Sequence, residues 1–279
     1  MRRAFRTLLL TALPLALLAT ATIAAETYQL ALKFRPGQIL RFAIDQTALM
    51  DIEVPGQTAK NIRLTNKAVL KQQVSAVSSD GAAELLCLFE SWETAAWLDG
   101  TEIPAARDQA AAVLAARIKL RVGPQGKVEV LDPVSLPDGI DLDTLANYGF
   151  LRTAPVAVGQ GWTTSGTRTV DGFPCRVVLD NRLERVDAVN GSRIAQISQD
   201  LRLEIPESPV PLGESIYGKM TAGGSILGVS TLSFNLNTGI VEKQMSIVNG
   251  KLLAKLQTGA ARLEMPLSID VTSVVALLN

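Results

Sequence analysis

Apolar and polar residues alternate along most of the chain after residue 25, the pattern of β-strands that bury one face and expose the other. The segment LRFAIDQTALMDIEV places on one face Leu40, Phe42, Ile44, Ala48, Met50, Ile52 and Val54. The segment NIRLTNKAVLKQQVSAV repeats this alternation and places on one face Ile62, Leu64, Ala68, Leu70, Val74 and Ala76. Both segments are therefore predicted to be long strands of an antiparallel sheet.

Turn signals that contain Gly divide the rest of the chain. They are Asp80-Gly81, Asn190-Gly191, Thr238-Gly239, Asn249-Gly250 and Thr258-Gly259. In the second half they predict strands near 162–170, 175–188, 193–205, 215–221, 225–236, 240–248, 251–257 and 261–275. Pro266 interrupts the last strand, so this strand is predicted to lie at a sheet edge or to contain a bulge.

Two segments depart from the alternation. An Ala-rich stretch after Pro104 predicts a short helix near 104–113, because proline suits the first helical position. A second short helix is predicted from its cap, Asp141, to Gly149. The predicted fold is mainly β, with long, curled antiparallel meander sheets, half-barrel or barrel-like, and one or two short helices near the middle. Curling is expected because a strand of about 16 residues is more than about 50 Å long and twists along its length.

A Gly-Gln pair precedes the first long strand of each half, in GQILRF at Gly37 and in GQGWTT at Gly159. Each pair is followed by a strand and an Asp-Gly or Asn-Gly turn, but the glycines are 44 residues apart in the first half (37 to 81) and 32 in the second (159 to 191). Two interpretations stay open: an internal duplication, or a meander that uses the same turn chemistry twice.

The first 25 residues have the features of a secretory signal peptide. Three arginines precede an uncharged apolar stretch, Thr7 to Ala25, that ends in small residues. Cleavage is expected after Ala24 or Ala25, with no membrane span in the remaining chain. The predicted organisation is a signal peptide (1–25), a first β-module with a short helix (26–135), a connector with a short helix (136–158) and a second β-module (159–279). The two modules are either separate or one continuous domain, located in a bacterial periplasm or outside the cell.

The composition argues against several functions. Lys plus Arg equals Asp plus Glu at 27 each, so no basic surface indicates a nucleic acid as partner. Histidine is absent, which excludes Ser-His-Asp and Cys-His catalysis. No cofactor or metal is expected. The two cysteines, Cys87 and Cys175, leave two alternatives open: a disulfide, which export would permit, or two separate buried thiols.

Part of the sequence resembles a family of exported bacterial β-proteins grouped as a domain of unknown function. The pattern Y-x-L-x-x-K-F-x-x-G-Q followed by V-x-x-V-x-x-D-G-x-A is carried here by Tyr28, Leu30, Lys33, Phe34, Gly37, Gln38, Val74, Val77, Asp80, Gly81 and Ala83. This resemblance implies an exported β fold and no particular activity. Long curled strands with small helices are also similar, in architecture alone, to periplasmic lipoprotein carriers, in which a half-barrel cups an acyl chain.

Three groups of residues are candidate sites of chemistry. Asp138, Asp141 and Asp143 lie close together but lack the spacing of a calcium loop. Glycines 218, 223, 224 and 228 do not form a phosphate-binding loop and are predicted to mark bulges or close strand approach. A carboxylate hydrolase would draw on Glu84, Glu90, Glu93, Asp99 and Glu102, which fit a solvated strand face better.

The three tryptophans, Trp92, Trp97 and Trp162, are interpreted as core residues, with a pocket lining as the alternative for one of them. The leading functional hypothesis is a non-enzymatic binding or scaffold protein of the cell envelope that cups an apolar or lipid ligand. The alternatives are a carboxylate-based hydrolase and a subunit that adds an edge strand to an envelope complex.

Overall fold

The computed structural model describes residues 26–104, 110–132, 151–170, 173–209, 219–258 and 261–278. The strands in these ranges are β1 (Thr27–Tyr28), β2 (Ile39–Ile52), β3 (Lys60–Val77), β4 (Ala83–Leu98), β5 (Thr101–Glu102), β6 (Ile118–Val122), β7 (Val128–Val130), β8 (Val156–Ala157), β9 (Gly161–Val170), β10 (Phe173–Val189), β11 (Ser192–Pro209), β12 (Lys219–Asn235), β13 (Ile240–Thr258) and β14 (Ala261–Leu278). One helix, α1, spans Ala110–Ala115.

Twelve strands form one antiparallel sheet in the order β7-β6-β4-β3-β2-β14-β13-β12-β11-β10-β9, with β5 paired to β4 beside this path. The strands at its two edges, β7 and β9, do not pair with each other, so the sheet is open. The strands β1 and β8 pair separately. The prediction of a long antiparallel meander is confirmed, and of its two forms the open one is observed.

The two halves of the chain meet in the middle of this sheet, where β14 pairs with β2. The prediction that the last strand lies at an edge is therefore wrong, because β14 has β13 on one side and β2 on the other. Pro266 is accommodated because it lies one residue beyond the last β2–β14 pair, Ile52–Leu267. The proposed boundaries of the two modules stay a prediction, although both contribute to one continuous sheet.

One face of the sheet, here called the inner face, carries the buried cluster of the protein. Because the strands are paired in register, side chains from successive strands meet there, among them Phe42, Leu70, Phe89, Leu232 and Phe234. The opposite, outer face carries most of the charged side chains, among them Arg41, Lys71, Glu93, Lys251 and Asp270. This division follows the alternation in the sequence, since neighbouring residues of a strand point to opposite faces.

A bulge changes the predicted inner face of β3. The register shifts between Val74 and Ala76, so Val77 rather than Ala76 returns to the inner face opposite Ala83. Ala76 is accordingly exposed, whereas Val74 is buried. The extra residue of a bulge reverses the alternation beyond it, which a strict two-residue period does not foresee.

The sheet curls around the segment between β1 and β2. The adjacent residues Leu32 and Lys33 donate backbone hydrogen bonds to Pro124 (2.8 Å) and Gly239 (3.2 Å). These acceptors lie in the β6–β7 and β12–β13 turns, and β6 and β13 are five strand positions apart. In a flat sheet, two strands five positions apart would be separated by about 24 Å. Here two adjacent residues reach both acceptors, so the carbonyl oxygens of Pro124 and Gly239 lie within roughly 10 Å of each other. The sheet is therefore strongly curled.

The two Gly-Gln turns have the same geometry. In the first, Gly37 donates its N–H to the Val74 carbonyl (2.9 Å) and the Gln38 side-chain oxygen accepts from the N–H of Arg35 (3.0 Å). In the second, Gly159 donates to Leu183 (2.7 Å) and the Gln160 oxygen accepts from Ala157 (3.0 Å). A register shift follows both acceptor residues, between Val74/Ala76 and between Leu183/Arg185.

The unequal spacing of the two halves has a local explanation. Gly37 and Val74 are 37 residues apart (37 to 74), whereas Gly159 and Leu183 are 24 residues apart (159 to 183). The difference lies in the first hairpin of each half, since β2–β3 is longer than β9–β10. The spacing from the acceptor residue to the glycine of the following turn, Val74 to Gly81 in the first half and Leu183 to Gly191 in the second, differs by one residue. This similarity favours duplication.

Three predicted element boundaries are corrected. The strands predicted at 215–221, which the structure describes from residue 219, and at 225–236 are one strand, β12, and those at 240–248 and 251–257 are one strand, β13. Asn249-Gly250 is therefore not a turn: Gly250 pairs with Ile226 and Ile269, and the Ile226 side chain covers it. The helix predicted near 104–113 is present as α1, and the second predicted helix, 141–149, lies outside the described residues.

Candidate functional site

A row of uncharged polar side chains crosses the inner face at one level. In the spatial order β4-β3-β2-β14-β13-β12-β11-β10, each strand contributes one residue that pairs directly with the residue on the next strand. This polar belt consists of Thr94, Asn66, Gln46, Ser273, Ser246, Ser230, Gln199 and Asn181. From β4 to β12 in the order of the sheet, it divides the inner face into two regions of different burial, whereas on β10 the residues beyond the belt, Val177 and Leu179, are buried as well.

The region on one side of the belt is the packed core. It includes the inner-face residues below the belt and the segment between β1 and β2 that the sheet encloses. Its buried side chains include Leu30, Leu32, Phe42, Leu70, Leu85, Ile118, Leu183, Ile197, Leu232 and Phe234. Trp92 belongs to this side and packs edge-on against Phe89, with ring centroids 5.0 Å apart. Packing of this kind fixes the curl of the sheet beneath the belt.

The region on the other side is apolar but only partly covered, and we call it the apolar trough. Its side chains come from seven strands: Ala48, Met50, Ile52, Ile62, Leu64, Ala96, Leu98, Leu201, Leu203, Ile205, Met220, Ala222, Ile226, Val248, Leu252, Ala254, Leu256, Leu263, Met265, Leu267, Ile269 and Val271. Most are half-buried, and Leu64 and Leu98 are each 39% exposed. Among the described elements, the helix α1 packs against β4, with Ala110 near Thr94, and no described helix lies over the other trough strands.

The trough is long and free of charge. Along β14 it extends from Val271 beside the belt to Leu263, a distance of roughly 26 Å at the rise of a β-strand. The inner-face positions of β2, β3, β4 and β14 above the belt hold one charged residue, Lys60, at the outer rim. Lys60 is paired there with Asp99 at 2.8 Å. A large, uncharged, partly exposed apolar face is typical of a binding surface for an apolar partner.

One half of the belt is internally hydrogen-bonded. The Ser230 hydroxyl donates to Ser246 (2.9 Å), which also accepts from the Gln244 side chain (3.3 Å). The Gln199 side chain donates to Asn181 Oδ1 (2.9 Å), and Asn181 in turn donates to the Leu179 carbonyl (3.1 Å). These bonds satisfy polar groups that would otherwise be costly in an apolar surface.

The side chains in the other half of the polar belt are not hydrogen-bonded to one another. Gln46, Asn66 and Thr94 lie side by side on β2, β3 and β4, and their side chains form no hydrogen bond with the described residues. The side-chain oxygen of Asn66, Oδ1, is buried and has no hydrogen-bond partner in the described part of the chain. Buried polar atoms in proteins nearly always have a partner, so this atom calls for a functional explanation.

Glycines of β12 allow the strands to approach closely beside the trough. A Cβ on Gly223 would lie 2.9 Å from the Glu207 Cα, and one on Gly224, whose φ is +155°, would collide with the Lys251 carbonyl. Both glycines lie near the irregularity in β11 between Ile205 and Ser208. The interpretation of these glycines as bulge and close-approach positions is confirmed, while Gly218 lies outside the described residues.

The candidate acidic residues of a carboxylate hydrolase do not converge. On β4, Glu84 faces Arg121 and Glu90 is held by Arg41 (2.9 Å), whereas Asp99 lies at the far end beside Lys60. Hydrogen bonds from Arg41 lower the pKa of Glu90, and those from Lys60 and the Asn61 N–H lower the pKa of Asp99. The other two acids of this group are Glu93 and Glu102, both exposed.

Metal-binding residues are also not brought together in the described ranges. There, no three His, Cys, Asp or Glu side chains are grouped in a way that could hold a metal ion. The candidate calcium acids Asp138, Asp141 and Asp143 lie outside those ranges.

The remaining predicted residues are structural in their placement. Trp162 is buried on the inner face beside Asn181, as expected of a core residue. The interpretation of Trp97 as a core residue is wrong, because it lies half-buried on the outer face under the Arg63 guanidinium, at 5.5 Å. Cys87 and Cys175 are both buried, and no disulfide joins them. Burial raises the pKa of the Cys87 thiol to about 12.

The outer face carries a smaller apolar patch on β12 and β13. Leu227, Val229 and Ile247 are neighbours there and are 56%, 54% and 52% exposed. The Asp180–Arg202 ion pair (2.5 Å) lies beside this patch. The patch is therefore much smaller than the trough and is bordered by charge.

Among the described residues, no helix is long and apolar enough to cross a membrane. No protein-family model matches the chain. No curated protein matches it either.

Solved structures similar to the chain include two from different proteins. One is lipovitellin, from a study of lipid–protein interactions, with a TM-score of 0.49 and 11% identity over 88% of this chain and 26% of that chain. The other is a LolA superfamily protein from Nitrosomonas europaea, with a TM-score of 0.16 and 10% identity over 89% of this chain and 87% of that chain. This chain thus spans about a quarter of the lipovitellin chain. Both TM-scores are too low to carry a functional conclusion.

Proposed function

We propose that the protein binds the apolar chain of a lipid or a similar amphiphile in the apolar trough, without catalysis. The observation that carries this proposal is the inner face above the polar belt, which seven strands line with mostly half-buried apolar side chains and which is uncharged apart from Lys60 at its outer rim. An export signal in residues 1–25 would direct this activity to the cell envelope or the medium, where lipids must cross an aqueous space.

The dimensions and energetics support this role. One leaflet of a bilayer has an acyl depth of about 15 Å, half of the hydrocarbon core, so the trough is long enough to hold such a chain along β14. Each methylene group removed from water contributes about 0.8 kcal/mol. A dozen methylenes would therefore contribute about 10 kcal/mol, which is comparable to the free-energy cost of association, so binding is favoured by trough side chains that are already in place.

Binding of the environment-sensitive dye N-phenyl-1-naphthylamine tests the proposal. We expect the dye to gain fluorescence with the wild-type protein and to be displaced by lipids extracted from the cell envelope. Val271→Glu, which places a charge in the trough, should weaken dye binding at least tenfold. Thr272→Glu introduces the same charge at the next residue, on the outer face of the sheet, and should leave binding unchanged.

A second control separates the trough from the outer apolar patch. Ile247→Ser reduces that patch and should not affect the dye, whereas loss of binding in this variant together with full binding in Val271→Glu would refute the proposal. Circular dichroism of each variant establishes that the sheet is intact.

A further inference from the structure

The unbonded part of the polar belt lies at the base of the apolar trough. Gln46, Asn66 and Thr94 are direct cross-strand neighbours on β2, β3 and β4, and the next residues above them on the inner face are the trough residues Ala48, Leu64 and Ala96. A chain lying in the trough along these strands would therefore end against three polar side chains. Their hydrogen-bonding capacity is not used within the described part of the protein.

The chemistry of these side chains restricts the group that they can receive. Asn66 offers an acceptor oxygen that is buried without a partner, and this atom requires a donor. Thr94 and Gln46 can each donate and accept. A hydroxyl or amide N–H donates to Asn66 Oδ1, whereas an ester, which only accepts, leaves this oxygen without a donor.

A charged group fits this position poorly. Above the belt on β2, β3, β4 and β14 the described inner-face side chains include one cation, Lys60, which lies at the opposite end of the trough and is engaged by Asp99. A carboxylate or phosphate at the belt would lose its hydration without gaining an opposite charge.

On the basis of the proposed function, we infer that the ligand is an amphiphile with an uncharged hydrogen-bond donor, a hydroxyl or an amide, which lies against Gln46, Asn66 and Thr94. The internally bonded half of the belt, from Ser246 to Asn181, then serves as a closed polar floor that offers fewer free partners. The ligand enters with this group toward the belt and its apolar chain toward the rim.

Competition against the bound dye with four ligands of matched chain length tests this inference. They are 1-dodecanol, dodecanamide, methyl dodecanoate and dodecanoate at pH 8. For the wild-type protein we expect the alcohol and the amide to bind about three- to tenfold tighter than the ester, the range given by one net hydrogen bond. Dodecanoate should be the weakest competitor.

Two variants connect this preference to the belt. Asn66→Leu has a similar volume and lacks the carbonyl oxygen, so the ratio of alcohol to ester affinity should fall to about one while the dye still binds. Thr94→Val gives a second, nearly isosteric test and should reduce the ratio severalfold. Thr65→Val makes the same change on the outer face of β3 beside Asn66 and should keep the wild-type ratio.

The possible outcomes separate this inference from the proposed function. If the dye binds but the alcohol, amide and ester compete equally, the inference is refuted and the trough proposal stands. Tightest binding of dodecanoate would also refute it, since the head group would then point to the rim. If neither the dye nor any of the four ligands binds, the proposed function is refuted and this inference with it.

Discussion

The backbone N–H of Lys33 donates a hydrogen bond to the carbonyl oxygen of Gly239, 3.2 Å away, and so joins the enclosed segment to the β12–β13 turn. Gly239 has a φ of +68°, and a Cβ there would lie 2.6 Å from the Lys33 Cγ and 2.7 Å from the Ala31 carbonyl oxygen. The close approach that helps to curl the sheet therefore depends on the missing side chain at this position.

Gly239→Ala should destabilise the protein by about 3 kcal/mol, because it combines an unfavourable φ with a steric clash. Gly56→Ala is the matched control: its φ is +79°, but a Cβ there would meet no atom within 4 Å. We expect about 1 kcal/mol for Gly56→Ala. Urea denaturation followed by tryptophan fluorescence measures both, and equal losses would show that the Lys33 contact is unimportant.

The two Gly-Gln turns should respond equally to mutation. Gln38→Ala and Gln160→Ala each remove one hydrogen bond from a side-chain oxygen to a backbone N–H across the turn. We expect each to cost about 1 kcal/mol, and the double variant to lose the sum, because distant sites are additive. A large loss for one glutamine alone would contradict the structural equivalence of the turns.

Glu90 should make a pH-dependent contribution to stability. The Arg41 hydrogen bond lowers its pKa below the ordinary value of 4.5, so the folded state holds the ionised form more tightly than the unfolded state does. Its stabilising contribution is complete above pH 4.5 and is lost as the pH falls through the lower value of the folded protein. Glu90→Gln should therefore be less stable than wild type at pH 7, and the difference should disappear in acid.

Denaturation curves between pH 7 and pH 3 measure this difference. Glu93→Gln, the same substitution on the same strand without an ion pair in the described residues, should differ little from wild type throughout. High salt should reduce the Glu90 effect, because its partners are partly exposed. A constant difference at every pH would show that Glu90 acts through packing.

Cys87 should be inert in the folded protein. Burial raises the pKa of its thiol to about 12, so at pH 8 almost none of it is the reactive thiolate. We expect iodoacetamide to label Cys87 only after unfolding, as measured by peptide mass spectrometry. The same digest without reductant tests the disulfide alternative, since a linked peptide containing Cys87 and Cys175 would establish it.

The elements that depend on local sequence were predicted well. The alternation around Phe42 and Leu70 identifies the inner face of β2 and β3 because strand geometry repeats every two residues. Asn190 and Gly191 form the expected tight turn, with φ values of 48° and 78°. Asn249-Gly250 carries the same signal but is paired on both sides, so tertiary context overrides it.

The site was not predicted, although its residues leave a trace. Gln46 and Asn66 each interrupt an otherwise apolar strand face, and each could be read as a harmless irregularity. They form a belt only because the strands align them in one row, and Ser273 joins Gln46 through the β2–β14 pairing. Register between strands so distant in sequence is set by the whole sheet, which short-range patterns do not encode.

The pairing of β2 with β14 also determines how the protein must fold. The Ser268 hydroxyl contacts Asp51 across 217 residues of chain, at the junction where the two halves of the sheet join. Such a contact gives a high contact order, and its loop-closure entropy must be overcome before the sheet is continuous. Until then β2 has an unpaired edge that can pair with other chains. We therefore expect this junction to close late and to be the segment at which aggregation competes with folding.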